Sequence, residues 1–352
     1  MPKLHPARLA LAMVAALLGA GAALSGADAR PRSPPVIYPP PPPIPMPSVG
    51  LGAKFVREAA TYEDFMRAAS AISPNFASAD DVENALNVGA AFEPGQLRRG
   101  AVAYAAIQIL ADSAFVDEVR KAGPTPESRY ALVARIYSNP ANALDFPDGP
   151  AVAGIAKAVL ANGGMQLFDA GGGVIGAAYT MQHQAWSLSQ VADRDARSAK
   201  VRMLSSTERT ASGDEVAALE RQVGGAAADP PAPAARPYSP LVVRAVALAA
   251  LAAIGQAGDD AAHNLGWLSD DYFMDHCLSE TKLALNECLA VARPSYEYAF
   301  CLGQHAMRDT GSCVVRAAGS TVPIDIAVAP SPHIPPAHVG VHRRVRRRRR
   351  RG

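Results

Sequence analysis

Residues 271–313 read DYFMDHCLSETKLALNECLAVARPSYEYAFCLGQHAMRDTGSC and hold every cysteine of the 352-residue chain: Cys277, Cys288, Cys301 and Cys313. An even count confined to one short stretch predicts two disulfides, and geometry chooses among the three pairings. From Asp271 to Ala292 the pattern is helical, with Ser269 or Asp270 placed to cap it and Phe273, Cys277, Ala284, Cys288 and Val291 on one face. Eleven residues at about 1.5 Å each put Cys277 about 16 Å from Cys288, far beyond the roughly 7 Å between Cα atoms that a disulfide tolerates. Arg293-Pro294-Ser295 breaks the helix, and a second is expected from Ser295 to Arg308, ended by Gly311. An antiparallel hairpin centred on that break sets Cys288 against Cys301 and Cys277 against the loop carrying Cys313. Crossed pairing needs parallel helices, so the nested ladder is the expected one.

A metal is the competing use of these cysteines, since His276 adjoins Cys277 and His305 follows Cys301 by one turn. Zinc modules bring cysteines together as close C-x-x-C pairs, which are absent here, and neither a metal nor a cofactor is expected. The same absence argues against a redox motif.

Upstream, Leu241 to Ile254 is apolar apart from Arg244; at about 14 residues it is short of the roughly 20 that cross a bilayer, so a buried helix is expected. With the cysteine hairpin it forms a helical region at 241–318. A further helical domain is expected at 51–204, starting with Lys54 to Ile72, where Phe55, Ala59, Tyr62, Met66 and Ala69 share a face. Ser78 then fits an N-cap with Asp80, Asp81 and Glu83 in the first turn, and that helix should stop near Glu93-Pro94-Gly95. Further helices are read at 98–112, 114–122, 126–138, 150–162 and 174–204. Residues 205–240, rich in Ala, Gly and Pro, read as a linker containing one short charged helix at 213–223. The whole predicts a mainly α protein: a helical array or bundle with a C-terminal disulfide-stapled αα-hairpin, flanked by proline-rich and basic low-complexity segments. With aromatics at only 6%, each buried residue contributes little apolar area, and an alanine-rich chain suits helices best.

Both ends carry signals of another kind. Lys3 and Arg8, the apolar run Leu9 to Leu24 and Ala27-Asp28-Ala29 together read as a signal peptide over 1–29. Export to a periplasmic or secreted location follows, and the cysteines then meet an oxidising milieu. Residues 30–50 are proline-dense, with Pro39 to Pro43 consecutive, and favour a polyproline II spacer. From 319 to 352 little regular structure is expected beyond a short strand at 322–328, and the chain ends in Arg343, Arg344, Arg346, Arg347, Arg348, Arg349, Arg350 and Arg351. Removing those eight charges from a net +2 leaves −6 for the rest, so cationic character is confined to the tail.

Functional motifs are scarce. The glycines at 163–164 and 171–173 lack the following G-K-S/T of a phosphate loop and read as tight packing or a turn, with Gly172 and Gly176 spaced for close approach. His183 near Trp186 is a lone histidine on a helix. Asp259-Asp260, Asp270-Asp271, Glu280 and Glu287 offer carboxylates for an envelope hydrolase, but serve equally as helix caps and solvated faces. The expected function is a non-enzymatic binding or scaffolding role in the cell envelope. The arginine tail is expected to contact anionic lipid, lipopolysaccharide phosphates or an acidic protein. Export argues against nucleic acid, and no transmembrane span is expected in the mature chain.

Overall fold

The computed structural model describes residues 45–223 and 231–323; there the chain is mainly helical, and β pairing is limited to isolated bridges of Leu51 with Ala257 and Gln190 with Pro294. The signal-like segment, the run Pro39 to Pro43, most of the expected strand at 322–328 and all the tail arginines lie outside the described residues.

Helix α1 (Ala53–Ser70) buries Phe55, Ala59, Tyr62, Phe65 and Met66. Helix α2 (Ala79–Gly89) starts at a capping box in which Ser78 Oγ accepts from Asp81 N and the Asp81 carboxylate accepts from Ser78 N. It ends four residues short of Glu93-Pro94-Gly95, the expected stop, which instead opens α3 (Pro94–Leu110). Proline is welcome at the first helical position because its missing N–H would have no partner there, and the Glu93 carboxylate accepts from Gly95 N and Gln96 N at 2.9 and 2.6 Å. α1 crosses α3 at Gly100, where a Cβ would stand 2.4 Å from the Glu58 carbonyl oxygen. Then come α4 (Ser113–Ala122), capped by Asp112, α5 (Pro126–Ser138), capped by Thr125, and a short 3₁₀ turn at Pro140–Asp145.

Helix α6 (Gly149–Met181) runs unbroken for 33 residues where two helices, 150–162 and 174–204, were expected. Glycine disfavours a helix interior by about 1 kcal/mol relative to alanine, but here Gly164 and Gly171 are buried against another helix and packing overrides that preference. The chain leaves α6 after Met181 and continues through α7 (Ala185–Leu188), α8 (Arg194–Ser206) and α9 (Gly213–Gln222). By length and composition α6 qualifies as a membrane-crossing helix, but half of its apolar window is buried inside the protein.

Helix α10 (Pro240–Ala253) is the buried helix expected there, with Ala245 through Ala253 all enclosed. It packs chiefly on α3, α6 and the 3₁₀ turn of the first helical segment, with smaller contacts to α4 and to a second 3₁₀ turn at Gly266–Ser269 in its own region. Complete burial of Leu241, Val246, Leu248 and Leu251 contributes about 1.5–3 kcal/mol each. After α11 (Asp259–Ala262) comes the cysteine hairpin: α12 (Tyr272–Val291), then one continuous helical run of α13 (Ser295–Cys301), a π-helical stretch (Leu302–Asp309) and α14 (Thr310–Ala317). Gly311 does not end this run, contrary to expectation; it is buried inside it.

The second hairpin arm lies antiparallel along α6, and the two backbones touch twice. A Cβ on Gly311 would fall 2.5 Å from the Gly164 carbonyl oxygen, and one on Gly303 would fall 2.8 Å from that of Gly171. The contacts are seven residues apart on α6 and eight apart on its partner. The π-helical stretch, whose i→i+5 bonding takes one extra residue into a turn, brings both glycine pairs into register.

The two flanks of the described body meet α10 at its two ends. The proline-dense segment, expected to be free spacer as far as Gly50, is docked from Met46 onward. Arg120 Nη1 donates to the carbonyls of Pro47 and Ala253, both at 2.9 Å, and Gly50 N donates to Ala252 O at 3.3 Å. Gly255, at φ +71°, leaves room for Pro47, whose Cβ would stand 2.3 Å from a side chain there. At the other end Gly319, at φ +76°, lies against Ser239, the N-cap of α10.

Candidate functional site

In the cysteine hairpin the N-cap of α12 is Asp271, just beyond the expected Ser269 or Asp270, and its Oδ1 accepts from Met274 N at 2.8 Å. Disulfides join Cys277 to Cys313 and Cys288 to Cys301, each with Cα atoms 5.7 Å apart. Cys313 sits on α14 rather than in a loop. A groove of about 450 Å³ runs beside the outer bridge, lined among others by Phe273, His276, Glu280, Asp309 and Arg316. Most of its polar groups are engaged with neighbours. The Arg316 guanidinium lies 5.2 Å from the Phe273 ring centre, Asp309 accepts from Gln304 and pairs with His305 Nδ1 at 2.8 Å, and His276 stacks on Tyr272.

The carboxylates that suggested a hydrolase do not converge. Asp259 Oδ1 accepts from Ala53 N at the start of α1, Asp270 pairs with Arg98, and Asp271 caps α12, so three of them have structural work. Among the glycines of 163–176 the close backbone approaches are at Gly164 and Gly171; Gly172 meets only the Arg308 guanidinium, and Gly176 faces open space. The helix spacing alone had pointed to Gly172 and Gly176.

Three polar groups escape any motif. Glu58 is buried on α1, with Oε1 accepting from Arg99 Nε at 2.9 Å and Oε2 unpartnered among the described residues. Burial raises its pKa despite the Arg99 guanidinium. Lys282 is enclosed, its Nζ donating to the Ala90 carbonyl at 2.6 Å and lying 3.3 Å from the centre of the Phe92 ring. Carbonyl and ring both favour the charged amine, but burial outweighs them and holds Lys282 well below the usual lysine range. The third is Tyr62, 3% exposed, whose hydroxyl is buried and unpaired at the floor of a cavity of about 440 Å³ between α1, α3 and α6. Periodicity placed Tyr62 on the apolar face of its helix, but an isolated Glu or Lys at a helical core position carries no sequence signal distinguishing it from a surface residue, and only the packing reveals Glu58, Lys282 and the unpaired Tyr62 hydroxyl.

Lys282 permits a test in stability. A base whose pKa is depressed by folding leaves the unfolded chain holding more protons between the folded value and 10.5, so stability rises with pH across that window. The stability of the native protein relative to Lys282→Met should therefore increase from pH 7 to pH 10, at up to about 1.4 kcal/mol per pH unit. Urea unfolding at stepped pH measures this, and parallel curves for the two proteins would contradict it.

No protein-family model, curated protein or solved structure matches this chain.

Proposed function

We propose that the protein is exported and serves as a non-enzymatic binding or scaffolding module of the cell envelope, its helical body braced by disulfides and its arginine tail contacting an anionic surface. The observation that carries this reading is the charge layout: eight arginines within residues 343–351, against −6 for everything before them. Near an anionic membrane each such residue contributes about 1 kcal/mol, an attraction that falls off within a Debye length. Two disulfides suit an oxidising compartment, which agrees with the signal-like first 29 residues. The periplasm, or secretion beyond it, is the proposed location.

Vesicles of phosphatidylglycerol mixed with phosphatidylcholine provide the test. The mature protein should sediment with them at low salt and be released as sodium chloride is raised from about 0.1 to about 0.5 M. Deleting residues 343–351 should lower the bound fraction at least about tenfold, given several arginine contacts of about 1 kcal/mol each. Equal sedimentation of the truncated protein would reject the tail as the contact.

A further inference from the structure

Between Thr207 and Gln222 the chain is held to the body by charge and hydrogen bonds far more than by apolar burial. In the sequence this stretch belongs to a linker with one charged helix; in the structure it lies across α1 and α3. Three ion pairs tie it down: Glu208 Oε1 to Arg99 Nη2 at 2.5 Å, Arg209 Nη2 to Asp64 Oδ2 at 2.6 Å, and Glu215 Oε1 to Arg67 Nη2 at 2.5 Å. The Gln96 side chain adds a clamp, donating to the Arg209 carbonyl at 2.7 Å and accepting from Arg209 N at 2.8 Å, and Gln108 donates to Gln222 at 2.8 Å. Each of these partners on the body belongs to α1 or α3.

Apolar anchorage is slight. Of residues 207–222 only Leu219 is buried, with Ala211 and Val216 half-buried against the core, whereas the 14-residue α10 buries eleven. A segment with so few enclosed apolar groups opens at a small fraction of the free energy of global unfolding. Its ion pairs are open to screening, since Arg67 and Glu208 are each 62% exposed. Extended residues bound it, Thr207 after α8 and Val223 after α9, so the hinges lie outside both helices. Beneath it is a polar cleft of about 250 Å³, walled by Lys54, Arg57, Glu58 and Arg99 on the body and by residues 208–211 on the segment. Arg99 spans the two sides, holding Glu58 Oε1 at 2.9 Å as well as Glu208.

From this layout we infer that residues 207–222 form a strap that opens as a unit from α1 and α3 while the core stays folded, uncovering the polar cleft and the Glu58 side chain, and that ionic strength sets how often it opens. Arg67 is its bolt. It bridges Asp64 at 3.1 Å and Glu215 at 2.5 Å, two carboxylates close enough to repel one another once it is gone. The strap is separate from the arginine tail, and the two readings fail independently because its opening is read without any membrane.

Hydrogen exchange of the oxidised full chain, followed by mass spectrometry, tests it, with each rate referred to the unfolded chain in the same buffer. Amides of α9 should exchange at least about a hundredfold faster than those of α10. Raising sodium chloride from about 0.1 to about 1 M shrinks the Debye length from about 10 to about 3 Å, and exchange across 207–222 should rise about three- to tenfold while α10 is unchanged. Arg67→Met should raise opening at about 0.1 M salt by about tenfold and flatten the salt response. Gln96→Leu, which removes the uncharged clamp, should raise opening by about three- to tenfold and leave the salt response intact. Retained protection of α10 establishes that each variant is folded. Exchange of α9 at the rate of α10, a salt response equal in both helices or absent from α9, or Arg67→Met exchanging as the native protein does would each overturn the strap.

Discussion

Gly311→Ala is expected to destabilise the protein by about 3 kcal/mol or more, at the upper end of what overpacking does in a well-filled core. The added methyl would lie 2.5 Å from the Gly164 carbonyl oxygen and 2.7 Å from Phe168 N, and both obstacles are backbone atoms of α6 that no rotamer change can move. Gly164→Ala should behave alike, since its methyl would sit 2.8 Å from the Gly311 oxygen and 3.0 Å from Val315 N. Gly173→Ala and Gly176→Ala on the same helix have nothing within 4 Å, and should stabilise by about 0.5–1 kcal/mol each through helix propensity and a less flexible unfolded chain. Equilibrium urea unfolding with the disulfides intact measures all four. If Gly311→Ala and Gly173→Ala shift the midpoint in the same direction, the close crossing of α6 with the second hairpin arm is wrong.

Removal of the disulfides should have effects of similar size. Closing 36 residues between Cys277 and Cys313 restricts the unfolded chain by about 4 kcal/mol in the loop-entropy treatment, and closing 13 between Cys288 and Cys301 by about 3 kcal/mol. Replacing either pair by alanine should lower stability by about these amounts. Because the inner loop lies within the outer one, the outer bridge closes a shorter free path once the inner has formed, so losing both should destabilise by slightly less than the sum. Guanidinium unfolding of the two pair variants and of the quadruple variant provides the comparison. A loss below about 1 kcal/mol for both pairs would mean that packing alone holds the hairpin, and that oxidation is incidental to its fold.

Much of the helical content was legible because helices announce themselves through caps and periodicity. Ser78 is the side-chain cap expected of it, and Pro126–Ser138 coincides with the expected span, whereas Asp112, read as the end of one helix, caps the next. The reading failed where one residue type has two meanings. Pro94 stops a helix or starts one, and the Glu93 carboxylate, accepting from the first free N–H groups, decided for the start. Gly311 read as a helix end and Gly164 as tight packing or a turn; each is the point where one helix admits the backbone of another, a requirement that exists only once both helices are in place. The candidate site was less visible still. Tyr62 sits on the apolar face of α1 in the sequence, but its unpaired hydroxyl and the cavity beside it arise from α3 and α6, brought in from 40 to 100 residues away.

The docking of both flanks on α10 has a mechanical consequence. Arg120 holds Pro47 to its C-terminal end, while Gly319 rests on Ser239 at its N-terminal end, about 21 Å away for 14 residues at 1.5 Å each. Tension between an anchored front segment and a gripped rear segment is therefore transmitted lengthwise through the most enclosed helix of the fold, as shear against α3 and α6. A chain strung between two surfaces would resist such a pull with its whole core at once, where attachment at a single end would let helices peel away one by one.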